Sequence, residues 1–243
     1  GEAGWIASVG FIGMAIGATL GGLLADRFGR RQVFALTLLV YGIATGASAL
    51  VGGIAALLVL RFLVGLGLGA ELPVASTYVS EFAPARIRGR LIVVLEAFWA
   101  LGWTAAAVIG FLVIPASDDG WRWAFALGAI PAVYALFVRW RMPESPRWLA
   151  SRGRIAEADR IVSAFEADAG VGTAPAIRKE PASRAIAVTA RARLATLWNP
   201  EFRLRTLCLW VVWLGVNFAY YGAFIWIPSI LVDAGFDLVR SFG

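Results

Sequence analysis

Six long runs of mostly apolar residues constrain this chain more than any other feature of its sequence. The hydrocarbon core of a bilayer is about 30 Å thick, so a helix of about 20 apolar residues can cross it. Runs of about that length occupy positions 5–24, 33–51, 57–82, 91–113, 123–140 and 204–231. Backbone polar groups in lipid need partners within their own segment, and the runs do not alternate as barrel strands do. The sequence therefore predicts an all-α membrane protein with six transmembrane helices in a lipid bilayer.

The composition excludes several other classes of protein. The chain is 60% hydrophobic and 16% charged, and it contains no histidine and one cysteine. A single cysteine, Cys208, cannot form an internal disulfide or a cysteine-based metal site, and we expect no metal and no cofactor. The net charge of +6 comes from short basic clusters between apolar runs, which argues against nucleic-acid binding. Without histidine or a phosphate-binding glycine loop, and with its acids scattered over several helices, the chain is not expected to be an enzyme.

The arginines predict which way the helices cross. Short loops rich in Lys and Arg stay in the cytoplasm, and such clusters follow the first, third and fifth runs. The two short clusters consist of Arg27, Arg30, Arg31, Arg86, Arg88 and Arg90. The other connections, including the acidic stretch at 117–119, then face out. Residue 1 also lies outside, and we expect an earlier helix to precede it.

Three ionisable residues lie inside the predicted spans, where each is a candidate for function. Arg61 lies near the outer end of the third run and can also reach the headgroups. Glu71 is ten residues further along and is too deep for that. Glu96 shares a helix face with Trp103, seven residues on. This stripe predicts either a site for a flat ligand or a carboxylate paired with an arginine between helices.

The polar region at 141–203 separates the fifth and sixth runs. In "SRGRIAEADRIVSAFEADAG" apolar residues recur at helical spacing, which predicts an amphipathic helix on the cytoplasmic surface. From 170 to 193, Ala, Pro and Arg dominate, which is typical of a flexible linker.

Three motifs resemble the major facilitator superfamily of twelve-helix secondary transporters. "GGLLADRFGRR" resembles the loop between the second and third helices of that family. "RFLVGLGLGAELPVASTYVSEFAPARIRGR" resembles the fourth helix and following loop of its sugar porters and organic-ion transporters, and "PESPRWL" resembles the motif after the sixth helix. The resemblance implies a fragment holding family helices 2 to 7. It assigns 1–140 to an amino-terminal bundle, 141–203 to a cytoplasmic linker and 204–243 to the first helix of the carboxyl-terminal bundle, with the remainder of the transporter as partner.

The resemblance also implies a conformational latch, because the family uses such charges to hold its outward-facing state. The residues that match it are Asp26, Arg27, Arg30, Arg31, Glu81, Arg88, Glu144 and Arg147. The alternative is that the arginines of the first loop only fix the topology. In proton-coupled relatives the arginine at the position of Arg61 pairs with an acid on the first helix. Arg61, Glu71 and Glu96 are accordingly the candidates for proton coupling.

The substrate is predicted from what sugar porters have and this chain lacks. Glu96 and Trp103 stand where that group places glutamines, and so do Val211 and Val212. The motifs look most like bacterial niacin-type metabolite:proton symporters, which implies a small aromatic acid or nicotinate-like solute carried with a proton across the inner (plasma) membrane. The candidate substrate-binding residues are Glu96, Trp99, Trp103, Asn217, Tyr220 and Tyr221. Aromatic packing is the alternative role for the last three. A sugar:proton symporter, an organic cation transporter and a transporter-derived sensor remain alternatives.

Overall fold

The computed structural model describes residues 2–168 and 195–235, and every regular element in these two stretches is helical. The helices are α1 (Glu2–Phe28), α2 (Arg30–Ser48), α3 (Ile54–Phe82), α4 (Arg88–Val113), α5 (Gly120–Leu127), α6 (Ile130–Arg141), α7 (Pro146–Ser151), α8 (Ile155–Asp168) and α9 (Arg203–Asp233). The predicted all-α class is confirmed. The predicted linker at 170–193 lies outside the described residues.

Five helical stretches in the described residues are long and apolar enough to cross a membrane: Gly4–Phe28, Ile54–Phe82, Arg88–Ala116, Gly120–Arg141 and Arg203–Ala223. The predicted span that is missing from these five, at 33–51, corresponds to α2, which has 19 residues and begins with Arg30, Arg31 and Gln32. Because of these polar residues, the apolar part of α2 is too short for this helix to count as a membrane span by length and composition alone. Its role as a span stays a prediction, although α2 is covered by α3 on one side and α6 on another.

The fifth predicted span is interrupted, which the sequence analysis did not expect. A continuous helix over 123–140 is replaced by α5 and α6, joined through Gly128 and Ala129. Pro131 has no N–H to continue the α-helical ladder, and the nearby amides of Ala129 and Ala132 instead bond three residues back, at 3.0 and 2.9 Å. The proline therefore divides this crossing into two shorter helices.

Glycines allow α3 to lie directly against both α1 and α2. A methyl group at Gly13, Gly17 or Gly21 of α1 would overlap α3, and one at Gly65 would overlap α1. Gly67 faces the other way, where an added Cβ would lie 2.8 Å from Tyr41 Cβ of α2. In lipid the hydrophobic effect does not drive helices together, so they associate largely through close packing, which small residues at the crossings allow.

On the other side of α2, a small apolar core joins it to α6. Ala35 and Leu38 of α2 pack with Ala135 and Val138 of α6, and all four are buried. By contrast α4 has no fully buried residue. The predicted amphipathic helix is present as α8, whose Phe165 ring packs 5.4 Å from that of Phe82 at the end of α3.

The chain divides into two compact units, Gly1–Arg178 and Lys179–Gly243. The first unit contains α1 to α8. In the described part of the second, α9 is the long helix.

Candidate functional site

The turn at residues 26–31, called the cytoplasmic turn after the topology that its arginines predict, joins α1 to α2 through a residue that must be glycine. Gly29 has φ of 103°, a left-handed conformation that side chains other than glycine rarely adopt. An added Cβ there would also overlap the carboxylate of Glu144. The turn is thus shaped by its own backbone and by an acid that follows α6.

Glu144 caps the start of α2. Its Oε1 accepts hydrogen bonds from the backbone amides of Arg30 at 2.9 Å, Arg31 at 3.2 Å and Ser145 at 2.9 Å. The first amides of a helix have no partner inside it, and the helix dipole favours an anion at this end. The residue is 8% exposed, so these donors compensate a carboxylate largely removed from water.

Arg30 is the centre of the ion pairs around the cytoplasmic turn. Its Nη2 lies 2.9 Å from Asp26 Oδ1 and 3.1 Å from Glu81 Oε1, and its Nη1 donates to the Ala25 carbonyl at 3.0 Å. The side chains of Arg30 and Glu81 are 11% and 12% exposed, whereas that of Asp26 is 51% exposed. The pair with Glu81 ties the turn to the end of α3 in a nearly dry setting.

Of the eight predicted latch residues, the structure brings five together at this turn: Asp26, Arg30, Arg31, Glu81 and Glu144. Arg31 also donates to the Met142 carbonyl at 3.2 Å. The other three lie differently. Arg27 stacks on the neighbouring Phe28 ring at 5.3 Å, Arg88 donates to the Ala83 carbonyl at 3.3 Å, and Arg147 is exposed on α7.

Four residues near the helix ends were missed by sequence reasoning. Tyr78 donates to the Pro143 carbonyl at 2.6 Å, and Trp148 and Arg152 donate to carbonyls at the end of α1. At the predicted outer end, Arg122 donates to the Ala49 carbonyl at 2.6 Å beyond the end of α2. The motif "PESPRWL" contains Trp148, but no pattern in the sequence indicates its acceptor.

The embedded charges have individual partners. Tyr41 of α2 hydrogen-bonds to Glu71 of α3, so this acid faces the α2–α3 contact. Arg61 lies over the Phe125 ring of α5, with Cζ 4.6 Å from the ring centroid. A cation held against a ring face is stabilised when partly desolvated, which gives Arg61 a packing role besides contact with headgroups.

Glu96 is partly buried on α4, and in the stretches that the structure describes it has no arginine at ion-pair distance. Trp99 and Trp103, three and seven residues on, are 44% and 37% exposed. Three and seven residues are close to one and two helical turns, so the carboxyl and both indoles occupy one side of α4.

The remaining predicted residues lie on α9. Asn217 Nδ2 donates to the Trp213 carbonyl one turn earlier at 2.8 Å. The rings of Tyr220 and Tyr221 meet edge to face, with centroids 5.5 Å apart. Val211 and Val212, where sugar porters carry glutamines, are exposed on the same helix.

The profile of a family described as "sugar (and other) transporter" matches residues 2–238. The chain belongs to this transporter family. It is a member of the major facilitator superfamily, as the motifs of the turn and of "PESPRWL" predicted. A multi-pass position in the inner membrane is confirmed by the family and by its apolar helices.

Among proteins similar to this family member is the niacin transporter NiaP of Acinetobacter baylyi, which is 50% identical over 99% of the chain and 54% of its own length. The 4-hydroxybenzoate transporter PcaK of Pseudomonas aeruginosa is 34% identical over 98% of the chain and 52% of its own length. The xylose transporter XylE of Escherichia coli, solved in a partially occluded inward-open conformation, superposes with a TM-score of 0.61 at 28% identity over 68% of the chain and 43% of XylE. This family member thus spans about half the length of the curated relatives it matches.

Proposed function

We propose that the chain is part of a proton-coupled symporter that carries a small aromatic acid, of the nicotinate type, across the inner membrane by alternating access. The observation that carries this proposal is the 50% identity to a niacin transporter over 99% of the chain. The similarity to a 4-hydroxybenzoate transporter supports a flat aromatic acid as the wider substrate class. The partners are the solute, a proton, the bilayer and the rest of the transporter chain.

The residues proposed to contact the solute are one acid, four aromatic side chains and one amide. Glu96, Trp99 and Trp103 lie on one side of α4 in the first unit, and Asn217, Tyr220 and Tyr221 lie on α9 in the second. An indole face stacks on a flat ring, and an amide supplies the neutral hydrogen bonds that a ring nitrogen or carboxyl group needs. Valine at 211 and 212 offers no hydrogen bonds to the hydroxyl groups of a sugar.

Proton coupling is assigned to Glu96, with Glu71 and Arg61 as further candidates. A carboxyl group in a partly dry setting changes its charge when a proton binds, and that change alters the cost of exposing or burying it. Without an arginine partner among the described residues, Glu96 can respond to a proton and to the solute in the same place. Glu71 is committed to Tyr41 and is the weaker candidate.

The cytoplasmic turn is proposed as the latch of the cycle. In this scheme 1–140 is the amino-terminal bundle, 141–203 the linker and 204–243 the start of the carboxyl-terminal bundle. The nearly dry contact between Arg30 and Glu81 keeps the turn rigid, and the more exposed Asp26 and Arg27 offer charge to the rest of the transporter. As the transporter alternates between its two states, the contacts between these exposed charges and the rest of the transporter form and break.

The proposal is tested by uptake into proteoliposomes that contain the full-length transporter. An imposed inward proton gradient should drive accumulation of radiolabelled nicotinate, and a protonophore should abolish it. Glu96→Gln should abolish gradient-driven accumulation, while Glu157→Gln on the exposed surface of α8 should leave it unchanged. Accumulation by Glu96→Gln that still follows the gradient would remove Glu96 from the mechanism.

A sugar:proton symporter is the second candidate, because xylose transporter structures share this fold at 28% identity. Radiolabelled xylose and an organic cation, measured in the same vesicles, separate the candidates. Uptake of xylose without nicotinate would overturn the aromatic-acid assignment.

A further inference from the structure

The short helix α7 and the residue that follows it contact the end of α1 through two side chains. Trp148 Nε1 donates to the Asp26 carbonyl at 3.0 Å. Arg152 Nη2 donates to the carbonyls of Asp26 at 2.9 Å and Arg27 at 2.8 Å. The last carbonyls of a helix lack donors within it, and the dipole favours a cation at that end. Both side chains are therefore placed to cap α1, which ends at Phe28.

The same strip of chain caps the neighbouring helix with the opposite charge. Glu144 binds the first amides of α2, and Trp148 and Arg152 follow it at intervals of four residues. Residues 144–152 thus place an anion at the amino end of α2 and a cation at the carboxyl end of α1. Both charges match the dipoles of the helix ends they contact.

Trp148 and Arg152 also support each other. The Arg152 guanidinium carbon lies 5.5 Å from the centroid of the Trp148 ring, within range of a cation–π contact. Each side chain holds the other in position for the shared acceptor, the Asp26 carbonyl. Removing either should therefore disturb the bond made by its neighbour.

We propose that Trp148 and Arg152 form a clamp that positions Asp26 and Arg27 for the latch. By fixing the two backbone carbonyls, the clamp fixes the directions in which the half-exposed Asp26 carboxylate and the exposed Arg27 guanidinium point. Neither clamp residue is among the charges that the sequence motifs indicated. The clamp itself depends only on contacts within the first unit, whereas its effect on transport rests on the proposed function.

The clamp is tested by hydrogen exchange on the full-length transporter in lipid nanodiscs. Trp148→Phe removes the indole donor and keeps an aromatic ring, and Arg152→Gln removes the charge. Each should raise exchange at the end of α1 and in α7 by about tenfold, as expected when a helix end loses a side-chain hydrogen-bond donor. The double variant should exchange about as fast as either single variant, because the two side chains act as a unit.

Two substitutions at exposed positions elsewhere in the first unit serve as controls. Trp140→Phe changes a residue that is 78% exposed, and Arg160→Gln changes an exposed arginine of α8. Neither should alter exchange at the end of α1. Equal exchange in clamp and control variants, additive effects in the double variant, or a rise spread over all of α1 to α6 would each overturn the clamp.

Transport provides the second readout. The clamp variants should lower kcat for nicotinate uptake and leave KM unchanged, since the clamp touches the latch and no solute. Arg152→Lys should restore part of kcat, because an ammonium group can still donate to one carbonyl. An altered KM with unchanged kcat would overturn the positioning role. Absence of nicotinate uptake by the unsubstituted transporter would refute the proposed function, and the exchange result would still decide the clamp.

Discussion

Replacement of Glu144 by glutamine tests whether its charge stabilises the cytoplasmic turn. The carboxylate accepts three backbone hydrogen bonds, from Arg30, Arg31 and Ser145. A hydrogen bond to a charged group contributes about 1.5–3 kcal/mol and a neutral one about 0.5–1.5 kcal/mol. Each of the three bonds should therefore become weaker by about 1 kcal/mol when the carboxylate is replaced by an amide. Three such losses predict that Glu144→Gln lowers the free energy of unfolding by about 3 kcal/mol.

The assay is thermal unfolding of the purified full-length transporter in detergent, followed by tryptophan fluorescence. Each kcal/mol shifts Tm by about 2–4 °C for domains near the length of this chain, and by roughly half that for a protein of twice the length. We therefore expect Tm to fall by about 3–6 °C. Glu157→Gln is the matched control, because its carboxylate is an exposed partner of Arg154 and surface substitutions change stability by less than about 0.5 kcal/mol. If the Tm values of the two variants differ by less than about 1 °C, the charge of Glu144 does not stabilise the turn by the amount expected.

Three further substitutions follow from the packing. Gly29→Ala meets both a left-handed backbone and the Glu144 carboxylate, so it should destabilise the turn by more than about 1 kcal/mol, measured by the same melting assay; an unchanged Tm would contradict this. Gly65→Leu should prevent accumulation of folded transporter because the side chain overlaps α1, whereas Gly22→Leu, with open space around it, should express normally on a fluorescence-detected size-exclusion column. Tyr41→Phe leaves Glu71 without its donor and should cost about 1–3 kcal/mol, and a double-mutant cycle with Glu71→Gln should show coupling; additive effects would exclude the hydrogen bond.

The helices, their order and the family could be predicted from the sequence because their signals are local. A run of apolar residues indicates a crossing whatever surrounds it, and the arginine clusters occur beside the runs they orient. The turn could be predicted in the same way, since Gly29 lies in the basic stretch that separates the first two apolar runs. The break between α5 and α6 could also have been anticipated from Pro131, but the apolar run on both sides hid it.

The contacts between helices could not be predicted, because a helix that is apolar all round does not show which face is packed. In α3, Gly65 and Gly69 meet α1 while Gly67 meets α2, although all three look alike in the sequence. The same ambiguity hid the side of α3 on which Glu71 lies, and so its partner Tyr41. Glu144 was matched by its motif, but its acceptor role depends on amides 114 and 113 positions earlier in the chain.

The small residues along α1 have a consequence for how this segment tolerates change. Gly13, Gly17 and Gly21 leave no room for a methyl group, whereas Ile16 and Leu20 between them are 40% and 42% exposed. A library with every substitution at each position of α1, scored for expression in the membrane, should accordingly show a period of three to four residues. Substitutions of the packed glycines should prevent folding, whereas apolar substitutions at the exposed positions should leave expression unchanged. We therefore expect sequence changes in this helix to be tolerated mainly at its exposed positions, such as Ile16 and Leu20.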